Sequence, residues 1–294
     1  MVNFIAKRSL WVSISGVLII GSIIMISIWG LKLGIDFTGG SLLEVRFNET
    51  APTVTEIEEK LSPLNLKSLT AQPTENEGMV LRFQETSEET HQAIISKLPP
   101  LEELRFEAVG PSIGQELQRK AIYAILLVLL AISLYMAWAF RKVSRPVSSW
   151  KYGIVTLVSL FHDVVIVLGL FAFLGHYHGV EVNTSFIAAV LTVLGFSVHD
   201  TIVVFDRIRE NLPRSNSDFA GTVNMSLNQT IVRSINTSFT VLLVLAAIVL
   251  WGGSSITYFA LALFVGIFFG TYSSVFLASP LLVIWDNFAR ARKQ

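Results

Sequence analysis

Six stretches of this sequence are long and uncharged enough to cross a bilayer, and no soluble fold has room to bury that many. Ser9 to Leu31 carries no charge at all and follows Lys7 and Arg8. Ala121 to Phe140 is the second stretch, Gly153 to Leu174 the third and Ser185 to Phe205 the fourth. From Ser234 to Trp285 there is no Asp, Glu, Lys, Arg or His, and the turn chemistry of Trp251-Gly252-Gly253-Ser254-Ser255 divides that run into a fifth and a sixth. Hydrocarbon offers no water to backbone amides, so each stretch is expected to be a helix. The first resembles a signal peptide but is too long and lacks a small-residue cleavage site, and is read as a retained anchor. Composition agrees: 52% of residues are hydrophobic and 15% charged, with a mean hydropathy of +0.60. A soluble enzyme is excluded. Cysteine is absent, which removes disulfides, thiol catalysis and cysteine-based metal sites.

The net charge is zero, but the cations are not evenly placed. Lys7 and Arg8, then Arg141, Lys142, Arg145 and Lys151, then Arg207, Arg209 and Arg214, then Arg290, Arg292 and Lys293 occupy alternate connections. The intervening short connections, His176 to Asn183 and the Trp251 turn, hold no Lys or Arg. The positive-inside bias therefore predicts both termini in the cytoplasm. Orientation and attraction to anionic lipid account for these cations. They lack interleaved aromatics, so nucleic-acid binding is not expected.

The long connection from about Asp36 to Gln118 is then extracytoplasmic. Its pattern reads β-α-β-β-α-β. Ser41 to Phe47 alternates as a half-buried strand, Leu66 to Ala71 and Met79 to Phe83 flank a polar turn at Pro73 to Gly78, and Leu104 to Val109 closes the set. Thr53-Val-Thr-Glu56 and Thr86-Ser-Glu-Glu89 are capping boxes, the first opening a helix through Leu61 and the second a helix that ends before Pro99. That order fits a ferredoxin-like α+β sandwich. The domain division is residues 1–34 for the first span, 35–119 for the outer domain and 120–294 for the remaining five spans.

No nucleotide-binding glycine loop is present, and no cofactor is expected. The His176-Tyr-His178 sequence with Glu181 is read as a wet interfacial loop, not a metal site. The intramembrane ionisable residues carry more information, because a charge in a spanning helix costs about 2.5–3.5 kcal/mol on insertion scales. Asp163 lies near the middle of the third span beside His162, and Asp200 lies toward the inner end of the fourth beside His199. Arg233 enters the fifth from the same side. A guanidinium near Asp200 and the loss of water around it act in opposite senses, a balance that lets a carboxyl load and release a proton. Ser234, Asn236, Thr237, Ser238 and Thr240 supply hydroxyls and an amide that suit a water chain. On the residues alone two readings of Asp200 and Arg233 stand: a proton relay, or a static pair orienting two helices. Asp163 with His162 is a weaker relay candidate, equally readable as a buried contact between helices. Asp206 and Arg207 read as interfacial anchors. Span six places Ala262, Gly266, Gly270, Ser274 and Ala278 on one stripe, suited to close helix packing within the bundle or against a partner.

Gly34-Ile-Asp36-Phe-Thr-Gly39-Gly40, Gly110-Pro-Ser-Ile-Gly114, the run Gly195-Phe-Ser-Val-His-Asp-Thr-Ile-Val-Val-Phe-Asp-Arg-Ile-Arg-Glu-Asn211 and Arg233-Ser-Ile-Asn-Thr-Ser238 resemble the motifs of the SecF family of bacterial Sec-translocon subunits. The likeness runs the length of the chain. The first motif, with Asp36, Gly39 and Gly40, is shared with SecD, which also has six helices but normally a larger outer domain. The resemblance implies half of a twelve-helix bundle of the resistance-nodulation-division (RND) type, completed by SecD and joined to the SecYEG channel. It implies use of the proton-motive force to draw preproteins outward across the bacterial inner membrane. The family's proton-coupling aspartate and arginine fall on Asp200 and Arg233. Many relatives carry Asn where this chain has His199, whose ring titrates near neutrality and either joins the relay as a weaker candidate or donates the same hydrogen bond. Protonation of Asp200 would then loosen its hold on Arg233, shift spans four and five and move the outer domain. Two other function classes compete: a proton-driven small-solute exporter of RND type, whose chains are generally twice this length, and a purely structural translocon subunit.

Overall fold

The computed structural model describes residues 2–74, 77–141 and 148–291. Of the cations used above, Lys142, Arg145, Arg292 and Lys293 lie outside the described residues, as do Glu75 and Asn76 of the polar turn. The chain forms two compact units, one of residues 1–32 with 123–294 and one of residues 33–122.

The first span is helix α1 (Arg8–Trp29), and the smaller unit opens after it with a single helical turn, α2 (Ile35–Thr38). Strand β1 (Gly40–Phe47), helix α3 (Val54–Leu61), strands β2 (Thr70–Thr74) and β3 (Gly78–Phe83), helix α4 (Glu88–Lys97) and strand β4 (Leu101–Val109) follow. The sheet order is β2-β3-β1-β4 and every pairing is antiparallel, the ferredoxin-like arrangement. The inward residues of β1 and β3, Leu43, Val45, Phe47, Met79, Leu81 and Phe83, meet Ile57 and Leu61 of α3 and Ile94 of α4 in one core. Strand β2 starts four residues later than its apolar stretch suggests. Leu66 and Leu69 instead pack against the core from the segment before it.

At α3 the Thr53 hydroxyl accepts from the Glu56 amide while the Glu56 carboxylate accepts from the Thr53 amide at 2.9 Å, the reciprocal cap its sequence implies. Replacing Thr53 with Ala is expected to cost about 1 kcal/mol. Hydrogen exchange of the α3 amides should accelerate by about fivefold if they exchange through local opening of this helix. At α4 the cap is Ser87, one residue beyond Thr86, with its hydroxyl accepting from the Thr90 amide. Gln92 and then His91 bond the Glu88 carboxyl on the first turn and hold it below the usual glutamate range.

Gly39 and Gly40 join α2 to β1 with φ of +73° and +115°. A Cβ on Gly40 would stand 2.7 Å from the Phe83 carbonyl oxygen, so this corner admits only glycine.

The larger unit holds the spans. Helix α5 (Pro111–Ala139) begins ten residues before its apolar stretch, with Pro at its first position, where no intrahelical amide is missed. Helices α6 (Ser149–His178), α7 (Thr184–Asn211) and α8 (Phe219–Trp251) are unbroken. The sixth span is α9 (Ser254–Ser273), a π-turn (Ser274–Ala278) and α10 (Ser279–Ala291). Pro280 explains that turn: it has no amide to offer the Phe276 carbonyl, and the Ser279 hydroxyl bonds the Ser274 carbonyl instead at 3.0 Å. Among the described residues, six helices are thus long and apolar enough to cross a membrane. Helix α7 packs on α9, α1 on α6, and α8 on α9, with α6 against α7 and α9. Helix α6, the sixth span and α7 are 61%, 56% and 50% buried, against 11% for the first span and 6% for α5, so these three form the middle of the bundle.

Candidate functional site

The polar chemistry of the bundle gathers where α6, α7, α8 and α9 meet. Asp200 sits on the buried face of α7 at 2% exposure. Its Oδ2 accepts from the Thr271 hydroxyl of α9 at 3.0 Å and from the Ser238 hydroxyl of α8 at 3.4 Å. Their oxygens are also within hydrogen-bond distance of each other, so a hydroxyl that turns to its neighbour gives up its bond to Asp200. The His199 Nδ1 lies 4.0 Å from Oδ1, with its ring mostly outside the bundle.

Arg233 is not in this group. The residue is exposed on the outer face of α8, and among the described residues no ion pair joins it to Asp200. By helix rise the two are at similar depth, about 24 Å from Thr184 for Asp200 and about 27 Å from Trp251 for Arg233. What separates them is rotation. Ser234 and Ser238 occupy the buried face of α8, while Arg233, Asn236, Thr237 and Thr240 are turned outward. Of the five polar residues that suit a water chain, only Ser238 reaches Asp200; the Ser234 hydroxyl is buried without a hydrogen-bond partner.

Asp163 is a second buried carboxylate, fully enclosed on α6. Its Oδ1 accepts from the His162 Nδ1 at 2.8 Å, and its Oδ2 from Ser197 of α7 at 2.6 Å and Ser273 of α9 at 2.9 Å. Thr271, Ser273 and Ser197 were not among the sequence candidates. The polar run Thr271-Tyr-Ser-Ser274 inside an otherwise apolar span was the available signal.

The small residues of α9 face α7. A Cβ on Gly266 would fall 2.2 Å from a Val193 methyl, and one on Gly270 would fall 2.9 Å from the Ser197 Cβ. That close approach brings Thr271 and Ser273 within reach of the two carboxylates. Helix α7 also presents an uncovered stripe of small and polar residues, Ser185, Ala188, Thr192, Gly195 and His199. Asp206 and Arg207 lie beyond it and pair with Arg209 at 2.6 Å and Glu210 at 2.7 Å. In the short connection, His176 stacks on Trp29 with ring centroids 5.2 Å apart. Asp36 lies on the α2 turn beside Gly39.

The family described as protein export membrane protein SecD/SecF, C-terminal, matches residues 90–288, and the SecD/SecF GG motif matches residues 26–51. The protein translocase subunit SecF of Thermobaculum terrenum is 43% identical, with 98% of this chain and 95% of that protein covered. The SecF subunit of Anaerolinea thermophila is 39% identical at the same coverages, 98% and 95%. The crystal structure of SecDF from Thermus thermophilus, a translocon-associated membrane protein, superposes with a TM-score of 0.85 and 34% identity over 97% of this chain. SecDF in a super-membrane-facing form gives 0.71 and 33% over 99%. This chain spans about two fifths of those SecDF chains, 39% and 40%.

Proposed function

The chain belongs to the SecF branch of the SecD/SecF family of protein-export membrane proteins, and from that premise we propose that it couples proton movement to preprotein export as an accessory subunit of the Sec translocase. The observation that carries the reading is Asp200: a carboxylate in a spanning helix, 2% exposed, with no Lys or Arg paired to it among the described residues and the His199 ring 4.0 Å away. Hydroxyls of two other helices hold it. A group so placed exchanges a proton at the cost of only two rotating hydroxyls, and one elementary charge crossing 100 mV releases about 2.3 kcal/mol. That is enough to bias helices between arrangements a few kcal/mol apart.

A second subunit completes the site. Outward-turned His199 on α7 and Arg233, Asn236, Thr237 and Thr240 on α8 are unfavourable against lipid. They suit a partner helix or a water-lined cleft. The SecD-type subunit is the partner proposed, covering the small-residue stripe of α7 and bringing Arg233 into a shared polar seam with Asp200. The SecYEG channel and the translocating preprotein are the further partners, in the bacterial inner membrane with both termini cytoplasmic.

The test uses inverted membrane vesicles prepared with and without this chain. Omitting it should remove the gradient-dependent increment of preprotein uptake, and native complexes should yield a SecD-type subunit on co-purification. Solute export by this chain reconstituted without any partner would overturn the assignment in favour of a small-solute exporter.

A further inference from the structure

Asp163 and Asp200 are bound to the same short piece of α9. Thr271 donates to Asp200 at 3.0 Å, and Ser273, two residues on, donates to Asp163 at 2.9 Å. On α7 the arrangement repeats: Ser197, which donates to Asp163 at 2.6 Å, precedes Asp200 by one turn. The π-turn follows Ser273 immediately. Such turns lack the regular bond ladder and yield to small rotations.

We propose that Asp163, with His162, is a second proton-exchanging site, coupled to Asp200 through the Thr271–Ser273 segment of α9. The inference rests on the reading of Asp200 as a proton-exchanging acid.

The hydrogen-bond inventory around Asp163 supports exchange. As a carboxylate it accepts from three donors, the His162 ring and two serine hydroxyls. When Oδ2 takes up a proton it becomes a donor, and a hydroxyl that had donated to it must turn away. Ser273 has a second acceptor already within reach, the Gly270 carbonyl at 3.1 Å. His162 is fully buried and its Nε2 has no hydrogen-bond partner among the described residues, as is true of the Ser159 hydroxyl one turn earlier on α6. These two orphaned groups lie on the buried face of α6 beside the acid, where a water or a transferred proton would satisfy them.

The surrounding helices bring no competing charge. Around Asp163, α7 offers Asp200 alone on its buried face, with His199 turned outward, and α9 offers only Tyr272, whose hydroxyl bonds the Trp11 carbonyl at 3.3 Å. Helix α1 presents the buried hydroxyls Ser15 and Ser22, α8 turns Arg233 away, and Asp286 of α10 is paired with Arg290 at 2.9 Å. The two carboxylates therefore sense each other chiefly through the hydroxyls of α9 and the turn of α7 between Ser197 and Asp200.

The experiment is infrared titration of the complex with its SecD-type partner in lipid nanodiscs, following the carbonyl bands of protonated buried carboxyls. Two bands are expected, one lost in Asp163→Asn and the other in Asp200→Asn. Asp163→Asn should move the Asp200 midpoint by about tenfold in proton concentration, the threshold at which two sites titrate as a pair. Ser273→Ala, which leaves both acids and the fold in place, should move the same midpoint by a smaller amount. An Asp200 band that titrates with an unmoved midpoint in both variants overturns the coupling while leaving the proton role of Asp200 intact. Absence of any titrating Asp200 band in the unaltered protein overturns that role as well.

Discussion

Asp200→Asn is expected to abolish gradient-dependent export while leaving the subunit assembled in the membrane. The amide is nearly isosteric with the carboxylate, and its oxygen can still accept from Thr271 and Ser238, so the contacts that hold α7 to α8 and α9 persist. What disappears is the capacity to change charge. If one proton per cycle drives the conformational step, losing it forfeits about 2.3 kcal/mol at 100 mV, about fifty-fold in the driven equilibrium. The gradient-dependent part of uptake into inverted vesicles should then fall to the level of vesicles lacking this chain. Asp200→Ala serves as the structural control, because it removes the carboxylate that two hydroxyls share, leaving them only each other, and should also lower thermal stability. If Asp200 only orients helices, the order reverses: Asn exports normally and Ala does not. Arg233→Gln gives an intermediate case. Facing outward, Arg233 should affect export only in the complex with the partner, and its loss should leave the stability of the isolated subunit unchanged.

The spans were legible because apolar length alone decides them. The core of the outer domain was legible because alternation over Ser41–Phe47 and Met79–Phe83 fixes which faces turn inward. Depth in the membrane was legible too, since it follows from counting residues along a helix. Rotation about the helix axis was not. Neighbouring residues on a helix are about 100° apart, so Arg233 and Ser234 point in different directions although both are polar and equally deep. Comparable depth and entry from the same side favoured Arg233 as the partner of Asp200; in the bundle Ser238 and Thr271 hold that place. Thr271 was hidden for a further reason. Its role depends on the close approach of α9 to α7 at Gly266 and Gly270, a tertiary fact that a stripe of small residues permits without specifying. The π-turn was signalled only by Pro280, and a proline in a spanning helix is compatible with a kink, a π-turn or no change of direction.

A second large effect is expected at a position with no polar chemistry. Gly169 of α6 lies against Ser22 of α1 so closely that an added Cβ would stand 2.4 Å from the Ser22 Cβ and 2.6 Å from its Cα. The obstacle includes backbone, so no rotamer change relieves it and α1 must move away. Its outward face is Val17, Ile20, Ile24 and Ile28, all more than half exposed. Beyond its seat at Ser22 it is held near one end by Trp29 on His176 at 5.2 Å and toward the other by Trp11 on Phe276 at 4.5 Å and by the Tyr272 hydroxyl, which donates to the Trp11 carbonyl and accepts from Ser15. Association of helices in lipid depends on such close packing, since burying apolar side chains there gains little over lipid. Overpacking of this kind costs about 1–3 kcal/mol, and Gly169→Val should fall at the upper end. Proteolysis at the start of α1 and the thermal midpoint in nanodiscs would both report it. Gly169→Ala should cost less, and Ser22→Gly in the same chain should recover part of the loss but not all, because the main chain of α1 still stands in the way. Gly266→Ala provides the contrast: its nearest obstacle is a methyl of Val193 at 2.2 Å, so Val193→Ala should recover most of its cost. Equal recovery in the two pairs would mean that α1 yields as readily as a side chain does, and that its seat on α6 is not fixed by Gly169.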